Sequence, residues 1–171
     1  MKWLHAPWRM AYILAAPRRK ERGCLFCRVP AARRDGETLL LHRGRTCFTM
    51  LNRFPYNGGH LMIAPYAHRA KLQELTSEEL RELMEEARDM EALLDRVLRP
   101  HGCNLGANVG RVAGQGVLGH IPLPLVPRWD GDTNFMPVAA GTRVVSESLT
   151  ALHRRLRAAL PRPKATRRRG R

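Results

Sequence analysis

The sequence has no apolar run approaching the roughly eighteen residues that a membrane helix needs, which argues against a membrane-spanning helix. Lysine is scarce, with 4 of the 30 basic residues against 26 arginines. Cysteine is scarce too. There are four, Cys24, Cys27, Cys47 and Cys103, and only the first two are closely spaced. No secretion signal is read at the start. Met1 to Pro17 is apolar with an early Lys2, but His5, Pro7 and Arg9 interrupt any hydrophobic region of signal-peptide type. These features argue against a disulfide framework and for a reducing, cytoplasmic compartment. There is no internal repeat, and no nucleic-acid-binding motif.

What is present is 171 residues, 44% of them hydrophobic, enough for one domain with a real core. A net charge of +15 attracts anions such as nucleotides, polyphosphates or nucleic acid. Six of the charges follow Pro161: Arg162, Lys164, Arg167, Arg168, Arg169 and Arg171. Residues 161–171 are read as a basic, disordered, solvated tail, with weak nonspecific nucleic-acid contact as its functional alternative. Cys47 and Cys103 lie in apolar, strand-like stretches and are read as small core residues.

Residues 1–36, punctuated by Pro, Gly and charge, read as an arm plus a loop carrying Cys24 and Cys27. Thr38 to Leu41 and Thr46 to Leu51 flank Arg43-Gly44 as a hairpin. Asn52 to Gly59 is turn-rich, and His60 to Ala64 is a short strand in which His60 is a strand-start histidine rather than a ligand. Thr76 and Glu79 then form a capping box. Behind it Leu80, Leu83, Met84, Ala87, Met90, Leu94, Val97 and Leu98 make the apolar stripe of an amphipathic helix that Pro100 ends. Cys103 to Val109 reads as a strand and Gly110 to Gly119 as a glycine-rich loop. His120 to Val126 and Asn134 to Val138 read as strands, and Ser146 to Leu160 as a final helix. The pattern is α+β with an antiparallel sheet in a domain over 37–160.

The stretch from His120 to Val126 carries the functional reading. Alternate side chains of a strand share one face. Ile121, Leu123 and Leu125 therefore point into a core, and His120, Pro122 and Pro124 point the other way. Two prolines limit sheet pairing, so this strand is expected at an edge or distorted.

In order along the chain stand Ala6 to Met10, Cys24-Leu25-Phe26-Cys27, Leu51 to Met62 and Pro65-Tyr66-Ala67-His68. Asn104 to Arg111, Val126-Pro127-Arg128-Trp129 and Gly131 to Val138 follow. Each is weak alone; together they resemble the histidine-triad (HIT) family, whose signature is three histidines alternating with apolar residues. The branch most resembled is the bacterial diadenosine-polyphosphate phosphorylases and hydrolases. The resemblance implies a HIT-like fold: about five antiparallel strands, one long helix and a C-terminal helix, usually as a side-by-side homodimer.

The resemblance also implies a mechanism in which the middle histidine attacks the α-phosphate and forms a nucleotidyl-histidine intermediate. The third histidine helps hold the phosphate oxygens. Here the three positions are His120, Pro122 and Pro124. Proline has no nucleophilic side-chain nitrogen and no backbone N–H. Losing a nucleophile costs on the order of 10⁶ in rate in a serine protease, so the family chemistry is expected to be absent or very slow.

Two further sites follow from the resemblance. Cys24 and Cys27 are suited to one metal ion, and several HIT branches complete a structural zinc site with histidines matching His68 and His120. Asn52 falls where relatives contact ribose, Asn108 where an amide faces phosphates, and Gly114, Gln115, Gly116 and Val117 where the phosphate-side loop lies. Arg128 and Trp129 border the pocket, a dimer contact, or only pack. The leading reading is a zinc-stabilised protein that binds purine nucleotides or dinucleoside polyphosphates with catalysis impaired. The alternatives are an active nucleotidyl hydrolase or transferase using another group, and a non-enzymatic interaction module.

Overall fold

The structure, a computed structural model, describes residues 23–132 and 147–161. Two short helices come first, α1 (Leu25–Ala31) and α2 (Asp35–Thr38). Strands β1 (Leu40–Arg43), β2 (Cys47–Leu51) and β3 (Leu61–Pro65) follow, then the long helix α3 (Ser77–Leu98). Strands β4 (Gly102–Leu105) and β5 (Leu123–Arg128) and helix α4 (Leu149–Ala159) complete the described chain. Among the described residues the sheet has five strands in the order β1-β2-β3-β5-β4, antiparallel at every pairing. The α+β expectation holds. The arm over Met1 to Pro17, the strand expected at Asn134 to Val138 and the charges after Pro161 lie outside the described residues.

The capping box closes as expected. Thr76 Oγ1 accepts the Glu79 backbone N–H at 3.2 Å, and the Glu79 carboxylate accepts the Thr76 N–H at 2.8 Å. The helix ends where Arg99 turns left-handed at φ 50°. The buried stripe is Leu83, Glu86, Ala87, Met90, Leu93 and Leu94. This differs from the expected stripe: Leu80 and Met84 are exposed, while Leu93 is fully buried. The true stripe steps by three and four from Leu83 and includes an acid, which hydrophobic periodicity alone skips.

That stripe packs on one face of the sheet. Met90, Leu93 and Leu94 meet Leu41, Leu51, Leu61 and Leu125, together with Leu152 and Leu156 of α4. Leu83 and Ala87 meet Cys47, Ile63 and Ile121. Cys47 is thus a core residue, while Cys103 is half-buried at the edge of the first cluster. Ser148 caps α4, and buried His153 of α4 donates its Nε2–H to the Leu40 carbonyl at 2.7 Å.

The other face of the sheet is covered by α1. Phe26 and Val29 pack on Leu40, Phe48, Met50 and Ala64. The loop expected around Cys24 and Cys27 is therefore a helix. Cys24 precedes its first turn and Cys27 lies within that turn, despite Pro30 further along.

Strand β5 is interior, between β3 and β4, and not at the edge that its prolines suggested. In an antiparallel ladder a residue turns its N–H and C=O to the same neighbour. The Pro124 carbonyl accepts the Gly106 N–H at 3.3 Å, so its missing donor faces the place where β4 ends. The Pro127 carbonyl accepts the Asn57 side-chain amide at 3.2 Å, beyond the start of β3. Pro122 precedes the strand. Each missing N–H falls where a neighbouring strand has stopped, so an interior strand tolerates all three. The β4 strand is shorter than the expected Cys103 to Val109 for the same reason.

Candidate functional site

Three segments bring Cys24, Cys27, His68 and His120 together, with one ligand atom from each inside a 4.8 Å cluster. The α1 helix brings both sulphurs, because residues three apart share a helix face. His68 lies in the connection between β3 and α3, and His120 just before β5. His120 Nδ1 is 3.4 Å from Cys24 Sγ and 3.7 Å from Cys27 Sγ, and Cys27 Sγ is 3.3 Å from His68 Nδ1. A tetrahedral ion with bonds of roughly 2.0–2.3 Å needs ligands roughly 3.3–3.8 Å apart. These three separations fall in that range, and all four atoms lie within 4.8 Å of one another.

The tautomer of His120 suits it as well. Its Nε2–H donates to the Pro65 carbonyl at 2.8 Å. A carbonyl can only accept, so Nδ1 keeps a lone pair toward the sulphurs. Burial, and then the neighbouring His68, lower the His120 pKa against the Pro65 bond that raises it, which favours the neutral ligand form. Burial, and then Cys24, raise the Cys27 thiol, whereas a dication between the sulphurs would favour thiolates. The His120 ring is packed by Phe26 at 5.2 Å and meets the edge of His68 at 5.3 Å. Gly119 is at φ +82°, and a Cβ there would lie 3.1 Å from His68 Nε2. A side chain at 119 would press on a ligand.

The peptide between His120 and Ile121 is pinned from both sides. Its N–H donates to the Arg69 carbonyl at 2.7 Å, and its C=O accepts the Gln115 Nε2–H at 3.0 Å. Gln115 is buried, and its Oε1 accepts the Gly110 N–H at 2.9 Å. The Gly110–Gln115 loop closes further through Gln115 N–H to the Gly110 carbonyl at 3.3 Å and Asn108 Nδ2 to the Gly114 carbonyl at 3.4 Å. Gly116 is exposed beside it, while Val117 packs toward α1. The loop residues expected to meet phosphate are therefore gathered in one short, self-braced turn, directly upstream of His120.

Pro124 stands on the sheet face opposite α3, and Pro122 lies just before the strand. Pro124 pairs across the ladder with Met62 of β3. Asn52, at the end of β2, reaches the same row: its Nδ2 lies 3.7 Å from Met62 Sδ, and its Oδ1 accepts the Phe54 N–H at 2.9 Å. His60 is buried, accepts the Tyr56 N–H through Nδ1 at 3.1 Å and stacks on the Tyr56 ring at 4.9 Å. It stands outside the metal cluster. The row that would carry the second and third histidines thus presents ring methylenes and a thioether.

Arg128 is a brace. It grips Asp132 through two bonds of 2.6 and 2.9 Å and reaches Asn104 Oδ1 at 3.0 Å. Trp129 donates its indole N–H to the Arg99 carbonyl at 3.2 Å, at the end of α3. Sequence reasoning missed the inward double contact of Gln115; no periodicity marks a polar residue that faces inward from a loop.

The HIT domain family model matches residues 34–123. The AP-4-A phosphorylase of Mycobacterium tuberculosis is 36% identical over 159 residues, 90% of this chain and 81% of the relative. The adenosine 5'-monophosphoramidase of Saccharomyces cerevisiae is 25% identical over 157 residues, 92% of this chain and 95% of its own length. In fold, the chain is similar to a Zn-bound histidine triad family protein from Mycobacterium smegmatis. That likeness has a TM-score of 0.65 at 22% identity, covering 80% of this chain and 92% of the other. A strand order built around β5, a match over more than half the chain and a relative at this identity agree: the chain belongs to the HIT domain family.

Proposed function

We propose that this chain binds purine nucleotides or dinucleoside polyphosphates on the sheet face that bears Pro124, with Pro122 just before it, and that it forms no nucleotidyl-histidine intermediate there. The observation that carries the reading is the occupancy of the strand. The side chains at 122 and 124 offer no nucleophile and no proton. His120, the remaining histidine of the set, spends Nε2 on the Pro65 carbonyl and turns Nδ1 to the cysteines. Asn52 would contact ribose, and Asn108, Gly114 and Gly116 would line the phosphates, with Gln115 and Val117 supporting the loop from behind. The family relationship, with relatives named for AP-4-A and adenosine monophosphoramidate chemistry, supports a nucleotide ligand.

Cys24, Cys27, His68 and His120 would hold zinc, supported by the ligand chemistry and spacing. Bound there, the ion supplies a crosslink between α1, the β3–α3 connection and the approach to β5. Among the described residues β4 forms one edge of the sheet, and that edge is the side on which a second copy would sit in a homodimer.

The test is diadenosine tetraphosphate turnover with added phosphate and zinc, comparing the protein with a Pro122→His, Pro124→His double variant. Activity in the double variant alone, higher by at least about 10³-fold, supports the reading. Comparable activity in both sinks it and moves the chemistry to another group. Inactivity in both, with no AMP binding by calorimetry, removes the nucleotide reading altogether.

A further inference from the structure

We propose that Gln115 couples the cysteine–histidine cluster to the glycine-rich loop, so that metal binding sets the arrangement of the loop N–H groups that receive phosphate. This rests on the metal and nucleotide reading above and assigns Gln115 a positioning role rather than a ligand contact. Its side-chain amide is buried and has both ends in use: Oε1 takes the Gly110 N–H, and Nε2 donates to the His120 carbonyl. The peptide it grips is the one held from the other side by Arg69, next to His68. One rigid plane therefore joins the backbone of His120, and the carbonyl of the residue after His68, to one side-chain amide, and that amide holds the loop.

Two more features point the same way. Gly110 and Gly114 are at φ +86° and +87°, a path open to glycine, whose backbone loses more freedom than other residues when it is ordered. Inside the loop the Gly114 N–H reaches the Arg111 carbonyl at 3.0 Å and the Ala113 N–H the Gly110 carbonyl at 3.2 Å, but the bonds that draw its two ends together without the Gln115 side chain, Gln115 N–H to Gly110 and Asn108 to Gly114, are longer, at 3.3 and 3.4 Å. Losing the order of the His120 backbone releases the Nε2 end of the Gln115 amide, and with it the tie between the loop and the ligand backbone.

The experiment is amide hydrogen exchange over residues 110–116 of the full chain, with zinc and after chelation, with zinc stoichiometry measured on each sample. In the unaltered protein zinc slows exchange of the loop by about tenfold, inside the usual range of coupling between sites. In Gln115→Met that difference falls below about twofold while one zinc still binds. Gln115→Glu keeps an acceptor for Gly110 and, ionised, sets an oxygen against the His120 carbonyl in place of the donor, so it uncouples the loop from His120 while Gly110 stays held. A metal-dependent difference preserved in both variants overturns the proposal, as does a loop in the unaltered protein that ignores zinc. Failure of the unaltered protein to bind zinc removes the metal reading itself, and the stoichiometry separates that outcome from failure of the coupling alone.

Discussion

His42 of β1 donates its Nδ1–H to the buried carboxylate of Glu86 on α3, at 2.9 Å to one oxygen and 3.0 Å to the other. Thr49 of β2 donates to the same carboxylate at 2.5 Å. An acid inside an otherwise apolar stripe persists because both its carboxyl oxygens are engaged. The Glu86 bond is the main cause raising the His42 pKa, against partial burial. A histidine raised on folding gives stability that is fully present below its unfolded pKa, near about 6.5, and is lost as pH rises through the folded value. The His42 side chain is 41% exposed, so solvent screening limits the effect to about 1 kcal/mol or less. Thermal melts from pH 6 to pH 8.5 should show a loss of stability that His42→Gln removes. An unchanged pH slope in the variant would contradict the pairing.

The corrected helix stripe gives a second prediction. Leu93 is fully buried and Met84 is 54% exposed. Leu93→Ala should cost about 2–5 kcal/mol in urea unfolding, whereas Met84→Ala should stay within about 0.5 kcal/mol. Equal costs would restore the stripe expected from sequence.

Acid should loosen the far end of β5. The Arg128 bond is the leading cause holding Asp132 well below the usual carboxylate range, with burial opposing it. A carboxyl depressed on folding gives stability that is present above its unfolded pKa, near about 3.9, and is lost as pH falls below it. Arg128 is 47% exposed, so the loss is on the order of 1 kcal/mol after screening. Urea unfolding at pH 5 and pH 3 should register that loss in the native protein and a smaller one in Asp132→Asn.

Gly119→Ala should weaken zinc binding by about 10–100-fold, the ordinary cost of disturbing a group that orients a ligand. The added methyl would press on His68, and a left-handed φ of +82° would strain any residue with a Cβ. Competition with a chromophoric chelator measures this. Wild-type affinity in the variant would mean that His68 is not a ligand.

Much of the fold was legible because it is written in local chemistry. Thr76 and Glu79 announce the helix start, and Arg43-Gly44 separates two apolar runs. The site was legible in its cysteines and histidines only once their order along the chain resembled a family, because four ligands from three distant segments share no spacing rule. Hidden features depended on partners far away in sequence. Glu86 looks like a surface acid until His42 and Thr49 are placed against it. Pro30 hides α1, and the prolines of β5 look like edge markers until β3 and β4 are seen to end beside them.

The strand order also sets a sequence of events. The β1-β2-β3 meander can form from contacts close along the chain, but among the described strands β4 pairs with β5 alone, and β5 must reach back over the whole of α3 to find β3. Such non-local pairing carries a loop-closure cost that slows folding. The bond from His153 to Leu40 spans 113 residues and completes the closure from the other side. The glycine-rich loop, strung between β4 and β5, therefore sits where a local hairpin meets the long-range pairing with β3, so the surface that would receive a nucleotide depends on both being in place.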